Sequence, residues 1–339
     1  MDSTTRNLDG FLTPPAGLRG AGRFAPTPTG RLHLGNARTA LLAWLDARKA
    51  GLRTVLRVED LDVAAMPAGC LAGQLADLAW LGLRFDEGPE TGGPVGPYRQ
   101  SERFDLYARA LEALNARGLL YACGCTRREV HDAARAPHAN DEGPVYARTC
   151  APARPQSLPD FAHLPERDGR QPALRLDVAA ALAQLGRNDL SFNDLAAGPQ
   201  SPDVVGALGD FVVQRRDGIA AYQLACAVDD AAMGCTRVVR GADLLPSAAR
   251  QILLLESLAL PVPVYAHVGL VLDATGARLA KRDEAISLAG LRTAGVAPEA
   301  VLRALARCSG LPETADLDAL VAAYHPGLLT AAAVILPAD

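Results

Sequence analysis

The feature that most constrains the fold is a pattern of strand, turn and helix near the amino terminus. A short extended run at 23–25 leads into a turn-rich segment at 26–30. Helical apolar periodicity follows over 37–50, and a β-type run follows over 54–58. Strand, loop, helix and strand in this order are typical of a parallel βαβ crossover. We therefore predict an α/β fold with a parallel sheet.

The rest of the chain predicts one such sheet interrupted by an insertion. Alternation of strands and helices stops at about residue 121, where clustered cysteines and prolines begin, and resumes after about residue 200. The predicted helices cover 70–81, 102–117, 223–233, 243–259, 298–309 and 315–323. The predicted strands cover 173–178, 210–215, 219–222 and 236–240. We expect a flexible tail (1–20), two halves of a Rossmann-like domain (21–120 and 201–275), the insertion (121–200) and a helical C-terminal segment (276–339).

Composition excludes several classes of protein. With 49% hydrophobic and 21% charged residues, the 339-residue chain is typical of a globular protein. Its longest apolar runs are shorter than the roughly 20 residues that span a bilayer, and residues 1–20 do not resemble a secretory signal. A net charge of -4 argues against a protein whose whole surface is basic and binds nucleic acid without regard to sequence. We expect a cytoplasmic protein without a membrane partner.

The segment TPTGRLHLGN at 27–36 lies between a predicted strand and a predicted helix. Free N–H groups and the macrodipole at a helix N-terminus favour phosphate, and Gly35 would let phosphate approach the backbone. His33 can supply a hydrogen bond to that phosphate. The alternative is structural, with His33 and Asn36 forming only a helix cap. The segment is neither a Walker sequence nor a dinucleotide fingerprint.

Lysine is scarce, because the 34 basic residues include only Lys49 and Lys281. A chain that uses arginine elsewhere retains lysine where a compact ammonium is needed. Lys49 ends a predicted helix, where a cation opposes the dipole. Lys281 lies in the segment RLAKR at 278–282, on a predicted loop that can close over ATP, and can neutralise departing pyrophosphate. The alternative is an exposed basic turn.

Three of the seven cysteines, Cys123, Cys125 and Cys150, are clustered in the predicted insertion. Three soft ligands need a fourth to close a structural zinc site. His131 and His138 are the first choices for that ligand by chemistry, because imidazole is a common zinc ligand. The alternative is a set of free buried thiols.

The segments HLGN at 33–36 and RLAKR at 278–282 resemble the two signature sequences of class I aminoacyl-tRNA synthetases. The segments RFAPTPTG at 23–30 and RVEDLD at 57–62 are similar to the glutamyl branch in particular. The resemblance covers residues 22 to about 290 and implies a Rossmann-like class I catalytic domain that uses ATP with Mg²⁺. Arg278 and Ala280 stand where lysine and serine are usual, so we expect slower activation, with Lys281 alone facing ATP.

The resemblance also implies roles for individual residues. Arg23 and Arg240 would bind the side-chain carboxylate of L-glutamate, and Glu59 its ammonium group. Thr27 would contribute a hydroxyl contact and Tyr222 a wall of the pocket. Two further sets are implied. The catalytic and ATP-binding set is His33, Gly35, Asn36 and Lys281. The set of ligands for one structural zinc ion is Cys123, Cys125, Tyr146 and Cys150, with Tyr146 in place of a histidine.

Only 57 residues follow Arg282, too few for the large helical anticodon domain of a discriminating glutamyl-tRNA synthetase. The shortened plan resembles a branch that activates L-glutamate with ATP. That branch transfers it to queuosine in the anticodon loop of tRNA(Asp), with the C-terminal helices contacting the RNA stem. We expect this function and a monomer. The alternatives are a shortened enzyme that charges tRNA(Glu) and a non-catalytic paralogue that binds glutamate or RNA.

Overall fold

A computed structural model describes residues 12–126, 128–130, 145–159, 163–166, 169–273, 276 and 287–335. The strands within these residues are β1 (Ala21–Phe24), β2 (Arg53–Leu56), β3 (Leu120–Cys123), β4 (Ala173–Leu176), β5 (Phe192–Asp194), β6 (Gly198–Gln200), β7 (Val212–Gln214), β8 (Cys235–Gly241), β9 (Val264–Val268), β10 (Val271–Leu272) and β11 (Val334–Ile335). The α-helices are α1 (Leu34–Lys49), α2 (Cys70–Trp80), α3 (Phe104–Ala116), α4 (Val178–Leu185), α5 (Tyr222–Ala232), α6 (Leu245–Ser257), α7 (Leu288–Thr293), α8 (Pro298–Arg307) and α9 (Leu317–Ala323).

The central sheet is parallel throughout, with strand order β2-β1-β8-β9. The first half of the chain builds outward from β1 to β2, and the second half builds from β8 to β9 in the opposite direction. The strand order therefore reverses between β1 and β8, and open α/β sheets bind ligands at the carboxyl edge of such a point. The predicted α/β parallel sheet is confirmed.

Helix α1 packs closely on this sheet, which explains one glycine. A Cβ atom at Gly22 of β1 would lie 2.7 Å from the Cβ of Ala47 in α1. Only glycine allows the helix and strand to approach this closely. Apolar side chains of α1, including Leu41 and Leu45, are fully buried in a core that also includes residues of α8 and α9. The C-terminal helices therefore stabilise the sheet from the α1 side.

The segment between the two halves has its own antiparallel sheet, of order β3-β4-β7. Strand β7 lies within the stretch that we assigned to the second half of the catalytic domain, yet it pairs with β4. The strand predicted at 219–222 is a single bridge at Ala220, because Tyr222 already begins α5. The sequence pattern did not predict β3, β5, β6, β11, α4 or α7.

Among the residues that the structure describes, no helix combines the length and the apolar character needed to cross a bilayer.

Candidate functional site

A cleft of about 470 Å³ lies where β1 and β8 end. Eight of the nine predicted substrate, ATP and catalytic residues line it: Arg23, Thr27, His33, Gly35, Asn36, Glu59, Tyr222 and Arg240. The ninth, Lys281, lies outside the described residues, as do Arg278, Ala280 and Arg282. The groups that the resemblance assigned to amino acid and nucleotide thus share one cavity.

His33 forms the cap of α1 that the sequence offered as the structural alternative. Its Nδ1 accepts hydrogen bonds from the backbone N–H groups of Gly35 at 3.1 Å and of Asn36 at 3.3 Å, while the Asn36 side chain accepts from the His33 N–H. The added Cβ of a residue at Gly35 would lie 2.9 Å from the His33 ring. His33 therefore both caps α1 through Nδ1 and lines the cleft.

Arg23 is held by a buried carboxylate. Its Nε lies 3.2 Å from Asp230 Oδ1, and the same oxygen accepts a hydrogen bond of 2.6 Å from Arg57. Burial alone would raise the pKa of Asp230, but Arg23 and Arg57 lower it to about 2. Asp230 therefore stays ionised and fixes two guanidinium groups side by side.

Glu59 completes this charge cluster on the cleft side. Arg57 Nη2 donates to Glu59 Oε1 at 3.2 Å, and Glu59 is 8% exposed. Burial raises the pKa of Glu59, although Arg57 and Arg23 oppose the shift. Burial likewise raises the pKa of Tyr222, whose phenol keeps its proton and can donate a hydrogen bond. The cluster thus offers a carboxylate and a hydroxyl to one ligand.

Arg240 lies on the β8 side of the cleft and is held differently. Its side chain donates to His267 at 2.9 Å and to Gln251 at 2.7 Å. It is 3% exposed, and its guanidinium lies 5.2 Å from the centre of the Tyr265 ring. The cleft therefore has one buried cation on each side of the point where the strand order reverses.

Described residues that precede and follow the undescribed segment 277–286 lie at the cleft. Before it, Val271 of β10 lines the cleft. After it, Ser287 forms a bridge with His33, and the Leu288 N–H donates to Leu32 O at 2.8 Å.

A second cavity, of about 1040 Å³, extends from this cleft toward the β3-β4-β7 sheet. Thr27, Glu59 and Tyr222 line both cavities. Arg175 and Arg216 line the second cavity alone, together with Cys123 and Tyr146. Residues between the central sheet and the β3-β4-β7 sheet therefore form a wall shared by the two cavities.

The cysteine cluster is compact. The sulfurs of Cys123, Cys125 and Cys150 lie within 4.8 Å of one another, and the Tyr146 hydroxyl lies 3.4 Å from Cys123 and 3.5 Å from Cys125. A tetrahedral zinc with bonds of about 2.3 Å to sulfur and 2.0 Å to oxygen needs S···S and S···O separations of about 3.8 and 3.5 Å. The donor set therefore fits a closed tetrahedral site. His131 and His138 lie outside the described residues.

Sequence reasoning missed several buried partners. No role was predicted for Arg57. Its position two residues before Glu59 in an extended run nevertheless places both side chains on one face of the strand. Adjacent Asp229 and Asp230 in an otherwise apolar helix also indicate buried charges that need cations. Gln74 is a further buried residue that was not predicted. Its side-chain amide donates to the Gly30 carbonyl at 2.7 Å and holds the turn beside the cleft.

Comparisons with known proteins give matches over most of the chain. Residues 21–321 match the model of the class I tRNA synthetases (E and Q), catalytic domain. The chain is 49% identical over 322 residues to the glutamyl-Q tRNA(Asp) synthetase of Symbiobacterium thermophilum, covering 94% of this chain and 96% of that protein. It is 45% identical to glutamate–tRNA ligase 2 of Alkalilimnicola ehrlichii, covering 84% and 57%. A crystal structure of a glutamate tRNA ligase from Elizabethkingia meningosepticum superposes with a TM-score of 0.77 at 29% identity, covering 94% and 67%.

Proposed function

Because this chain belongs to the class I tRNA synthetases of the E and Q type and is a ligase of that family, we propose that it activates L-glutamate and transfers it to queuosine of tRNA(Asp). The observation that carries the proposal is the convergence of Arg23, Glu59 and Arg240 on the cleft that also contains the N-terminus of α1. A dicarboxylic amino acid needs buried cations and one anion, and the cleft has both.

In the first step, Arg240 and Arg23 bind the side-chain carboxylate, and Glu59 accepts a hydrogen bond from the α-ammonium group. ATP places its phosphates at the α1 N-terminus, near His33 and Asn36. The α-carboxylate oxygen attacks the α-phosphorus, and the bond to pyrophosphate breaks. Lys281 and His33 stabilise the charge that develops. Mg²⁺ bound to ATP would supply further neutralisation of the phosphate charge.

In the second step, a hydroxyl of the queuosine cyclopentene-diol attacks the carbonyl carbon of the adenylate. The bond to AMP breaks, and the hydroxyl proton leaves to the AMP phosphate or to water. The second cavity supports this step, because it opens on Thr27, Glu59 and Tyr222 and is large enough for a modified base. Arg175 and Arg216 in its lining supply positive charge for a nucleic-acid backbone.

The cysteine cluster would hold one structural zinc ion through Cys123, Cys125, Cys150 and Tyr146. Its four ligands leave no open position, so the metal fixes the insertion and takes no part in chemistry. Tyr146 also packs against the insertion sheet, since the Arg175 guanidinium lies 3.8 Å from the centre of its ring. The zinc site would therefore set the wall of the second cavity.

Transfer of labelled glutamate to purified tRNAs tests the function. We expect label on tRNA(Asp) that contains queuosine, retained when the 3′-terminal adenosine is removed before the reaction, and none on tRNA(Asp) that lacks queuosine. Periodate-sensitive charging of tRNA(Glu) would instead assign the shortened glutamyl-tRNA synthetase. Glutamate binding without adenylate formation would assign the non-catalytic paralogue.

A further inference from the structure

Arg240 is held only by uncharged acceptors among the residues that the structure describes. Its Nε donates to His267 Nε2 at 2.9 Å, its Nη1 to Gln251 Oε1 at 2.7 Å and its Nη2 to the Leu244 carbonyl at 3.4 Å. None of these contacts neutralises the guanidinium charge directly. Since the pocket must attract a carboxylate, this arrangement keeps the charge available to the ligand.

The contact with His267 requires one particular tautomer. A ring that accepts a hydrogen bond at Nε2 carries its proton on Nδ1. Asp194 stabilises that form, because its Oδ2 lies 2.5 Å from His267 Nδ1. Arg240 and His267 are register partners on β8 and β9, so the sheet itself brings the two side chains together.

Asp194 is fixed as an ionised acceptor. Its Oδ1 accepts backbone hydrogen bonds from His267 at 3.0 Å, Ala196 at 2.9 Å and Ala197 at 2.8 Å. Burial alone would raise the pKa of Asp194, but these bonds and the His267 ring lower it to about 2. Burial lowers the pKa of His267, although Asp194 opposes the shift. The His267 ring therefore stays neutral. It is oriented by the Asp194 carboxylate, which backbone hydrogen bonds hold in place.

We propose that Asp194 and His267 are positioning residues of the amino-acid pocket: Asp194 sets the tautomer of His267, and His267 orients Arg240 toward the substrate carboxylate. The proposal rests on the proposed function and extends it in two ways. It adds two residues that touch neither glutamate nor ATP, and it gives β5 a role in the specificity of the catalytic sheet. Loss of either residue should weaken glutamate binding and leave ATP binding unchanged.

Two substitutions at His267 separate positioning from packing. In His267→Gln the amide oxygen can occupy the place of Nε2 and still accept from Arg240. In His267→Asn the amide reaches only the place of Nδ1, so Asp194 keeps its partner and Arg240 loses one. In glutamate-dependent ATP–pyrophosphate exchange we expect His267→Asn to raise the KM for glutamate about 10- to 100-fold. We expect His267→Gln to raise the KM for glutamate less than about threefold. Neither variant should change the KM for ATP by more than about threefold.

Asp194→Asn tests the tautomer. Its amide N–H would face the ring, so His267 would accept at Nδ1 and carry its proton on Nε2, facing the Nε–H of Arg240. We expect a rise in the KM for glutamate as large as that in His267→Asn. In the His267→Gln background no tautomer remains to be set, so the same substitution should add less than about threefold.

Tyr324→Phe is the control for stability. It removes a buried hydrogen bond of 2.9 Å to Asp46, away from the cleft, and should lower Tm without changing the KM for glutamate.

The proposal is overturned if His267→Asn leaves the KM for glutamate unchanged, or if the KM values for glutamate and ATP rise together. Calorimetric titration with glutamate reads the same ratios without turnover. A wild-type chain that binds glutamate but transfers none to queuosine would contradict the proposed function alone, and one that binds none would overturn both.

Discussion

Arg23 and Arg240 line the same cleft from opposite sides, and their partners differ in charge. Arg23 shares Asp230 with Arg57, so its charge is matched by a carboxylate 3.2 Å away. Arg240 contacts a neutral imidazole, an amide oxygen and a backbone carbonyl within the described part of the chain. Both side chains are almost fully buried, at 4% and 3% exposure. The difference therefore lies in charge compensation and not in access to solvent.

This contrast separates two functions of a buried arginine. A guanidinium paired with a carboxylate orders its surroundings, because removing either partner leaves an uncompensated charge. A guanidinium held by neutral acceptors binds an incoming anion more strongly, since no internal anion competes. We therefore assign Arg23 mainly to the architecture of the glutamate pocket and Arg240 mainly to recognition of the carboxylate.

The largest effect should come from Arg240→Leu. Loss of this cation should lower kcat/KM for glutamate about 10³-fold in pyrophosphate exchange, because a buried charge pair contributes several kcal/mol. The free energy of unfolding should fall by no more than about 2 kcal/mol, since only neutral acceptors lose a partner. A variant that keeps its KM for glutamate would show that Arg240 does not bind the carboxylate.

Asp230→Asn should be the most destabilising of these substitutions. It leaves Arg23 and Arg57 facing each other, and should cost about 3 kcal/mol in urea unfolding. Because the pKa of Asp230 is lowered to about 2 in the folded chain, its contribution is present above the unfolded pKa of about 4 and is lost as pH falls toward 2. Asp62→Asn is the matched control, since Asp62 is half exposed and 3.5 Å from Arg215. A loss no greater than in Asp62→Asn would contradict the account.

Glu59→Gln should raise the KM for glutamate about 30-fold, because it removes the negative partner of the α-ammonium group. Burial raises the pKa of Glu59, so protonation at low pH has the same effect as the substitution. The KM of the wild-type chain should therefore rise as pH falls, and that of the variant should change less. Equal pH profiles for the two chains would exclude Glu59 as the ammonium acceptor.

Cys123→Ser tests the insertion. We expect zinc content measured by mass spectrometry to fall from one ion per chain toward none. Transfer to tRNA should fall about tenfold, and pyrophosphate exchange should change less than about threefold. Cys308→Ser should leave zinc content unchanged, since Cys308 lies outside the cluster and donates to the Leu305 carbonyl. An equal loss of both activities would mean that the cluster supports the whole fold.

The smallest effect should come from Ala280→Ser, a position outside the described residues. Restoring the hydroxyl that the resemblance expects should raise kcat of pyrophosphate exchange about two- to threefold. An unchanged or lower kcat would show that this hydroxyl does not limit activation in this chain.

Local patterns predicted the frame of the molecule but not its buried polar contacts. The βαβ pattern placed β1, α1 and β2 to within a few residues, because alternation and helix periodicity are local properties. The short strands β5 and β6 escaped, since three residues carry too little periodicity. Strand β7 was expected in the second half of the catalytic domain, but it pairs with β4 of the insertion. That pairing depends on contacts between residues far apart in the sequence.

The candidate site shows the same division. Family motifs supplied the residues of the cleft, and strand alternation could have added Arg57 beside Glu59. The link from Asp194 to His267 spans 73 positions and depends on the folded register, so no local pattern predicts it. The sequence signal for this link is limited to a histidine, His267, within the apolar run of β9.

Pyrophosphate exchange by the wild-type chain with L-glutamate and with L-glutamine tests the central claim most directly. The two amino acids differ in charge at the group that Arg240 is placed to bind, and little in size. We predict exchange with glutamate and a kcat/KM for glutamine about 10³-fold lower. Comparable values for the two amino acids would show that Arg240 does not select a carboxylate.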